Sequence, residues 1–273
     1  MAIATKKKKT MNVDELRAYR VAYGGKLGVK DFRKYVGLPA GLLGAFSFLL
    51  LYNGWVSAVC AIIGAIYGTL VLLPKSVKKQ YEFNGFNQRN KFINNITQVL
   101  TDDNQTVLMA IRKVSSRADG EFKEDLKRFY AMLSGADNER IRESVISLSD
   151  KYDDDVIFVQ FLEQLETAMI EGKNNIDTLK DIKTYHNDIR KKQEAYEKEK
   201  NNHLRDMRQM IIIIAVLIIA VSVSFGFQTY LDAFARHPVG YISSGLYLLM
   251  LSLFFKQFVG YLFDDSVLEI RKK

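Results

Sequence analysis

The sequence has few of the residues that cross-link a chain, bind metals or interrupt helices. Its 273 residues include one cysteine, three prolines and three histidines. The lone Cys60 excludes a disulfide within the chain and a zinc site made of cysteines. His186, His203 and His237 lie apart from the spacings of metal-ligand motifs, and His186 falls on an apolar stripe, which is typical of a hydrogen-bonded core histidine. The sequence therefore predicts neither a metal centre nor a cofactor.

Charged residues are absent from four stretches of the chain. Each stretch is predominantly apolar and 17 to 19 residues long. As a helix, such a stretch extends roughly 25–28 Å, which is enough to cross the hydrocarbon core of a bilayer. We therefore predict four transmembrane helices in two hairpins and exclude a soluble globular protein. The stretches are Val36–Tyr52, Trp55–Leu73, Met210–Phe227 and Val239–Phe255.

The lack of ionisable groups in these stretches also bears on function. Pumps and proton-coupled transporters place ionisable side chains inside the membrane, where they are costly to bury and mark the path of the ion or proton. The predicted spans carry no such side chain. This argues against a pump or a proton-coupled transporter, but it does not argue against every channel.

Small residues in the first hairpin lie at the spacing that helix packing uses. Glycines four residues apart allow two helix backbones to approach closely in a membrane. They favour packing of the hairpin against itself, with contact to a second copy or to a small membrane partner as the alternative. The candidate packing residues are Gly37, Gly41, Gly44, Gly64 and Gly68.

Positive charge is concentrated at one end of the chain. Residues 1–35 carry a net charge of +7 out of a total of +8, whereas residues 74–209 are neutral. The neutral middle segment excludes a domain-wide basic face for nucleic acid. The short connectors Asn53–Gly54 and Gln228–Pro238 are poor in positive residues, so the positive-inside rule places both outside the cell. The N-terminus, the middle segment and the C-terminus are then cytoplasmic.

Apolar residues in the middle segment recur every three or four positions, which indicates amphipathic helices. Six such stripes predict an all-α bundle with six short helices, the last of which extends as a stalk into the third span. Gly135 and Gly172 fit helix ends, and Asp137 and either Asn174 or Asn175 fit the helix starts that follow. The stripes are Phe92–Val99, Val107–Val114, Phe122–Leu133, Ile141–Tyr152, Phe158–Met169 and Ile176–Ile189.

These patterns divide the chain into five segments. The expected fold is an all-α membrane protein in which two transmembrane hairpins flank a cytoplasmic six-helix bundle. The segments are a basic cytoplasmic segment (1–35), hairpin 1 (36–73), the bundle with its stalk helix (74–209), hairpin 2 (210–255) and a cytoplasmic tail (256–273).

No catalytic motif is present. The sequence contains no P-loop, no glycine-rich phosphate fingerprint and no nucleophile elbow, so we expect a protein that is not an enzyme. Two groups of acidic residues remain as candidates for docking a partner. The first precedes the fifth predicted helix, where acids suit the helix dipole better than a metal site, and the second lies along that helix and at its end, where a solvated helix side explains it equally well. The groups are Asp153, Asp154 and Asp155, and Glu163, Glu166 and Glu171.

The plan of two spans, a helical domain and two further spans resembles the type II secretion system F family. Its members are membrane platform proteins of secretion, type IV pilus, competence and tight-adherence machines. The chain is most similar to short tight-adherence members with one such domain. The resemblance is carried by Phe92–Leu100, Phe129–Gly135 and Leu165–Gly172, in which Leu133-Ser-Gly135 and Ile170-Glu-Gly172 match the family's Leu-x-x-Gly-like turn.

The resemblance implies a non-enzymatic platform in a bacterial or archaeal cytoplasmic membrane. Its bundle would bind a hexameric cytoplasmic ATPase, its spans would guide pilin-like subunits within the lipid bilayer, and it would associate with itself. Two alternatives remain. One is a membrane-anchored scaffold or assembly factor of another envelope complex, and the other is a channel or transporter subunit.

Overall fold

A computed structural model describes residues 13–102, 104–172 and 175–264. Every regular element in these ranges is helical. The α-helices are α1 (Val13–Val21), α2 (Val29–Phe32), α3 (Leu38–Leu51), α4 (Gly54–Tyr67), α5 (Leu73–Leu100), α6 (Val107–Ser115), α7 (Gly120–Leu133), α8 (Asn138–Lys151), α9 (Val156–Glu171), α10 (Ile176–Ser224), α11 (Phe227–Tyr230) and α12 (Pro238–Leu262).

The described chain divides into two compact units. The span unit contains residues 13–17, 27–79 and 198–264. The core unit contains residues 18–26 and 80–197. Helices α1, α5 and α10 contribute residues to both units.

Within the described residues, four helical stretches are long and apolar enough to cross a membrane. They contain the four predicted spans to within a few residues, so the predictions of an all-helical chain and of four apolar spans are confirmed. The stretches are Val29–Leu51, Gly54–Leu100, Ile176–Ser224 and Pro238–Leu262.

Prolines explain why the first two stretches contain wider, π-helical turns. The turns Arg33–Gly37 and Gly68–Leu72 each end two residues before a proline, Pro39 or Pro74. A proline cannot donate to the carbonyl four residues earlier, and its ring crowds that carbonyl. A π turn widens the backbone at that point, so each helix continues through its proline.

The turn of the first hairpin uses a residue that the sequence does not single out. Tyr52 ends α3 in the left-handed conformation (φ 45°), and the Asn53 side chain accepts hydrogen bonds from the first backbone amides of α4. The ring of Tyr52 lies 5.0 Å from that of Phe227 and 6.1 Å from that of Tyr230, measured between centroids. The hydroxyl of Tyr230 donates to the Leu50 carbonyl at 2.9 Å. These contacts hold Tyr52 in a conformation that non-glycine residues rarely adopt.

The second connector is also folded. It contains α11 and a π turn, Leu231–Ala235, and its residues Tyr230, Leu231 and Ala235 are buried. Further along the spans, Phe46, Leu50 and Leu51 of α3 form a buried apolar cluster with residues of α10 and α12. All four apolar helices therefore share contacts inside the span unit.

The core unit follows the predicted stripes closely. Helices α6 to α9 each carry one stripe, and the buried stripe residues of α5 to α9 form one apolar core together with Leu179 of α10. The rings of Phe92, Phe122 and Phe158 meet edge to face at its centre, with centroids 5.7 to 6.0 Å apart. The prediction of short helices is wrong at the first stripe, because α5 continues unbroken from the second span and nothing between Pro74 and Leu100 ends it.

Helix ends in the core unit match their sequence signals. Gly135 and Gly172 have positive φ angles of 74° and 67°. The Asp137 side chain accepts from the Arg140 amide at 3.0 Å, and that of Asn175 accepts from the Thr178 amide at 3.5 Å. These four predictions are confirmed, whereas Asn174 lies outside the described residues.

Candidate functional site

The acidic residues of α9 differ in their availability to a partner. Glu163 and Glu171 are exposed. Glu166 is half-buried, and its carboxylate lies 3.5 Å from Arg142 Nε of α8. Glu163 and Glu171 therefore present the charge of this helix to solvent, while Glu166 joins α9 to α8.

The three aspartates before α9 separate in the same way. Asp153 and Asp154 are exposed, but Asp155 is only 4% exposed. Asp155 is the N-cap of α9, because its Oδ1 accepts a hydrogen bond from the Phe158 amide at 3.1 Å. The expectation that Asp155 docks a partner does not fit this enclosure, and we assign it a role in positioning α9.

Asp155 also joins α9 to α5 and α10. Its Oδ2 accepts from Arg89 Nε at 2.7 Å and lies 3.3 Å from His186 Nε2. His186 is fully buried, stacks on Phe86 with ring centroids 4.5 Å apart, and receives a hydrogen bond on Nδ1 from Asn90 Nδ2 at 2.9 Å. His186 is thus a hydrogen-bonded core histidine, as the sequence predicts.

The charge of Asp155 is stabilised despite its burial. Burial by itself raises the pKa of this carboxyl, but the hydrogen bond from His186 and the guanidinium of Arg89 outweigh burial and lower the pKa to about 2. A carboxylate with a lowered pKa in the folded state stabilises that state wherever it is ionised.

A second polar cluster surrounds Asp125 of α7. Its Oδ2 accepts from Lys151 Nζ and from the hydroxyl of Tyr152, each at 2.6 Å. Lys151 Nζ lies 2.7 Å from Glu121, which also accepts from the hydroxyl of Tyr81 at 2.8 Å. Burial lowers the pKa of Lys151, but its two carboxylate partners raise it by more. Burial and the hydrogen bond to Asp125 raise the pKa of Tyr152. These contacts join α5, α7 and the end of α8.

Residues 18–26, here called the strap, pack on the start of α7. The Glu121 amide donates to the Ala22 carbonyl at 2.7 Å. Gly120 has a φ of +63°, and a Cβ at this position would overlap the same carbonyl. Tyr23 of the strap is largely enclosed, and burial raises its pKa to about 12. Only glycine fits position 120, both for its φ and for its contact with the strap.

A polar cleft lies between the strap and helices α5, α7 and α10. Its volume is about 760 Å³. Four of the residues that line it already contact one another. The Gln88 side-chain amide donates a hydrogen bond to the Asp119 carboxylate, and Arg190 forms an ion pair with Glu194. The other polar residues that line it include Asn84, Asn87 and Lys91. The cleft suits a polar segment rather than an apolar ligand.

The glycines of the first hairpin do not share one role. A Cβ on Gly64 would lie 2.7 Å from the Pro39 carbonyl oxygen, and one on Gly68 would overlap the Tyr35 carbonyl. A Cβ on Gly44 would meet Ala61 Cβ at 3.1 Å. These three glycines pack the hairpin against itself, whereas a Cβ on Gly41 meets nothing within 4 Å and one on Gly37 meets only loose contacts near 4 Å.

Sequence reasoning missed the polar residues that organise the core unit, although a signal for them exists. Asn90 lies on α5 three residues before the buried Ile93 and four after Phe86. Asp125 lies three residues after Phe122 and four before Phe129. A polar residue that lies three or four positions from the members of an apolar stripe predicts a buried, hydrogen-bonded group. The partners Arg89 and Lys151 could not be found this way, because their pairing depends on the packing of several helices.

No three His, Cys, Asp or Glu side chains come together to hold a metal ion within the described ranges 13–102, 104–172 and 175–264. The side-chain clusters of the core unit are hydrogen-bonded and charge-paired among themselves. These clusters position the helices of the core unit. The surfaces that remain open to a partner are the exposed carboxylates on α9 and the polar cleft.

The part of the chain that the structure describes is all-helical, and four of its helices are long and apolar enough to cross a membrane. The chain is 47% identical over 267 residues to the uncharacterized protein pXO2-23 of Bacillus anthracis, with 98% of this chain and 96% of that protein covered. The chain belongs to the same family as that protein. No family model matches the chain, and no solved structure matches it significantly.

The first prediction concerns the hairpin glycines. We expect Gly64→Ala and Gly68→Ala each to destabilise the span unit by about 1–3 kcal/mol, because the added methyl overlaps a backbone carbonyl. Gly41→Ala is the matched control, and it should be neutral or slightly stabilising because alanine is the better helix former. Thermal unfolding in detergent, followed by circular dichroism, measures the difference. Equal midpoints for all three variants would contradict the packing role.

The second prediction concerns Asp155. Asp155→Asn keeps an N-cap side chain but removes the charge. It should lower the free energy of unfolding by about 2–4 kcal/mol at neutral pH, because Arg89 is left without its carboxylate partner. Because the pKa of Asp155 is lowered to about 2, its stabilisation is complete above about pH 4 and disappears as the pH falls towards 2. The gap between the wild-type and Asp155→Asn melting points should therefore close over that range.

Asp153→Asn is the control for this series, because Asp153 is exposed and precedes the same helix. It should leave the melting point almost unchanged at every pH. A gap for Asp155→Asn that persists at pH 2, or one that the control reproduces, would show that the charge of Asp155 does not stabilise the fold.

Proposed function

We propose that this protein is a non-enzymatic membrane platform of a secretion or type IV pilus-like machine. In this proposal it lies in a bacterial or archaeal cytoplasmic membrane, with the core unit and both termini in the cytoplasm. The core unit binds a hexameric ATPase, and the spans contact pilin-like subunits during their assembly or export. Several copies act together, since one small core unit faces a ring of ATPase subunits.

One observation supports the proposal above the others, namely the order of the elements along the chain. Two apolar helices precede a helical unit that has its own apolar core, and two more follow it. This is the plan of the type II secretion system F family, which the chain resembles. The plan suits a protein that carries a force or a movement between an aqueous partner and the bilayer.

Helix continuity supports the coupling of the two environments. Helix α10 runs without a break from Ile176 to Ser224, and it is itself one of the four stretches that are long and apolar enough to cross a membrane. The stretch Gly54–Leu100 is likewise one helix. A continuous helix transmits displacement along its axis because its backbone hydrogen bonds resist bending.

Exposed acidic side chains support a docking role for the surface around α9. Glu163 and Glu171 lie on α9, and Asp153 precedes it. Exposed charges at the edge of an interface change the rate and the specificity of association more than its affinity. We therefore place the ATPase contact at this surface.

The third prediction is a binding test on the full chain in lipid nanodiscs with a hexameric secretion-type ATPase from the same organism. We expect the two to co-elute and ATP hydrolysis to increase. The triple variant Glu163→Gln, Glu171→Gln, Asp153→Asn should weaken binding about tenfold, from roughly 0.5 kcal/mol for each exposed charge. Association measured by biolayer interferometry gives the dissociation constants.

A control with the same change of charge separates a local contact from a general electrostatic effect. Glu139→Gln, Glu143→Gln, Asp150→Asn removes three exposed charges from α8 instead. Binding should be nearly unchanged in this variant. Failure of the wild-type chain to bind the ATPase or to change its rate would reject the platform function and leave the membrane-anchored scaffold as the better account.

A further inference from the structure

A set of exposed cations lies at the entry of the first hairpin. Lys30, Arg33, Lys34 and Lys75, here called the basic rim, are all exposed. None of them forms an ion pair with any residue in the described parts of the chain. In the core unit, by contrast, many cations are paired, such as Lys127 with Glu124 at 2.8 Å and Lys151 with Asp125 at 2.6 Å.

Helix packing brings the four cations to one level of the span unit. Gly64 lies against Pro39, and Gly68 lies against Tyr35, so the two helices of the hairpin run antiparallel in a fixed register. The same register, continued beyond Gly68, brings Lys75 level with Val29. Along the helix axis, Lys75 is then within about one and a half turns of each of the three cations on the other helix.

Two of the cations lie over aromatic rings. Lys34 Nζ lies 5.3 Å from the centroid of the Tyr35 ring, and Lys75 Nζ lies 5.9 Å from that of Phe263. Such contacts hold the aliphatic stems on an apolar surface and leave the ammonium groups at its edge. The acid between these cations, Asp31, is engaged by the Gly28 amide, which donates to its carboxylate at 3.2 Å.

The position of the rim relative to the apolar surface identifies its ligand chemistry. The uncharged run that contains the first span begins at Tyr35, directly after Lys34, and the run that contains the second ends at Pro74, directly before Lys75. The rim therefore lies at the edge of the hydrocarbon core, where lipid phosphates lie. Directly beyond it the hairpin exposes large apolar side chains, among them Leu38 (56% exposed), Ile66 (52%) and Leu70 (60%).

We propose that the basic rim and the apolar surface beside it form a binding site for an anionic glycerophospholipid. The lipid phosphate lies among Lys30, Arg33, Lys34 and Lys75, and its acyl chains lie along Leu38, Ile66 and Leu70. A free phosphate ion shares the headgroup chemistry but has no chains to cover the apolar part of the site. The site is independent of any ATPase partner.

The fourth prediction tests this site with the purified full chain in detergent. Native mass spectrometry counts the molecules of dioleoylphosphatidylglycerol or dioleoylphosphatidylcholine that stay bound. We expect the anionic lipid to be retained at least about tenfold better, since each cation near an anionic headgroup contributes roughly a fivefold gain. The variant Lys30→Gln, Arg33→Gln, Lys34→Gln, Lys75→Gln should lose this preference.

Matched variants separate the site from net charge and from folding. Lys127→Gln, Arg128→Gln, Lys180→Gln, Lys191→Gln removes the same charge from exposed positions of the core unit and should retain the anionic lipid. Lys30→Arg, Lys34→Arg, Lys75→Arg should also retain it. If the fourfold rim variant does not give the wild-type circular dichroism spectrum, the double variant Lys30→Gln, Lys34→Gln replaces it, with a several-fold loss expected.

Three outcomes would overturn the proposal. They are unchanged retention of the anionic lipid by the folded rim variant, equal loss in the core-unit control, and equal retention of both lipids by the wild-type chain. Inorganic phosphate in large excess tests the source of the ligand. We expect it to leave the anionic lipid bound, and complete displacement would show a phosphate-ion site instead of a lipid surface.

Discussion

The exclusion of charge from four stretches of 17 to 19 residues is the constraint on which the other features depend. A single charged side chain at the bilayer centre costs about 3 kcal/mol or more, whereas a helix closes all its backbone hydrogen bonds internally. These stretches are therefore stable as helices in lipid and unstable as exposed surface in water. The remaining helices must bury their apolar stripes elsewhere, and they do so in one core around Phe92, Phe122 and Phe158. The apolar surface of the four long helices and the enclosed core of the others thus distinguish the two units.

Within the core unit, a buried polar network fixes which helices meet. Asp155 binds Arg89 of α5 and His186 of α10 while it caps α9, so three helices share one carboxylate. An apolar core of similar volume could pack in several registers, but a buried carboxylate has to meet its partners or lose several kcal/mol. Asn90 extends the network by donating to His186. We infer that this network selects one arrangement of α5, α9 and α10.

Most of the helical layout could be predicted from the sequence, because it depends on local patterns. The spans, the stripes of α6 to α9, the helix ends at Gly135 and Gly172, and the continuous α10 all follow from periodicity and end signals. Three features could not be predicted in this way. Helix α5 is unbroken because no residue stops it. The left-handed conformation of Tyr52 is held by rings that are distant in sequence. The burial of Asp155 depends on its contacts with Arg89 and His186. The conformation of Tyr52 and the burial of Asp155 depend on tertiary contacts, which a residue pattern does not encode. The continuity of α5 follows instead from the absence of a stop signal, which the stripe pattern by itself does not show.

Accessibility of single cysteines in intact cells tests the separation of the two units most directly. In a Cys60→Ser background, Gly54→Cys and Gln228→Cys lie in the two connectors, while Ser116→Cys and Ser134→Cys lie at exposed positions of the core unit. None of these changes alters the charge that orients the spans. We predict that a membrane-impermeant maleimide labels the connector cysteines in intact cells and the core-unit cysteines only after permeabilisation. Labelling of the core-unit cysteines in intact cells would contradict the account.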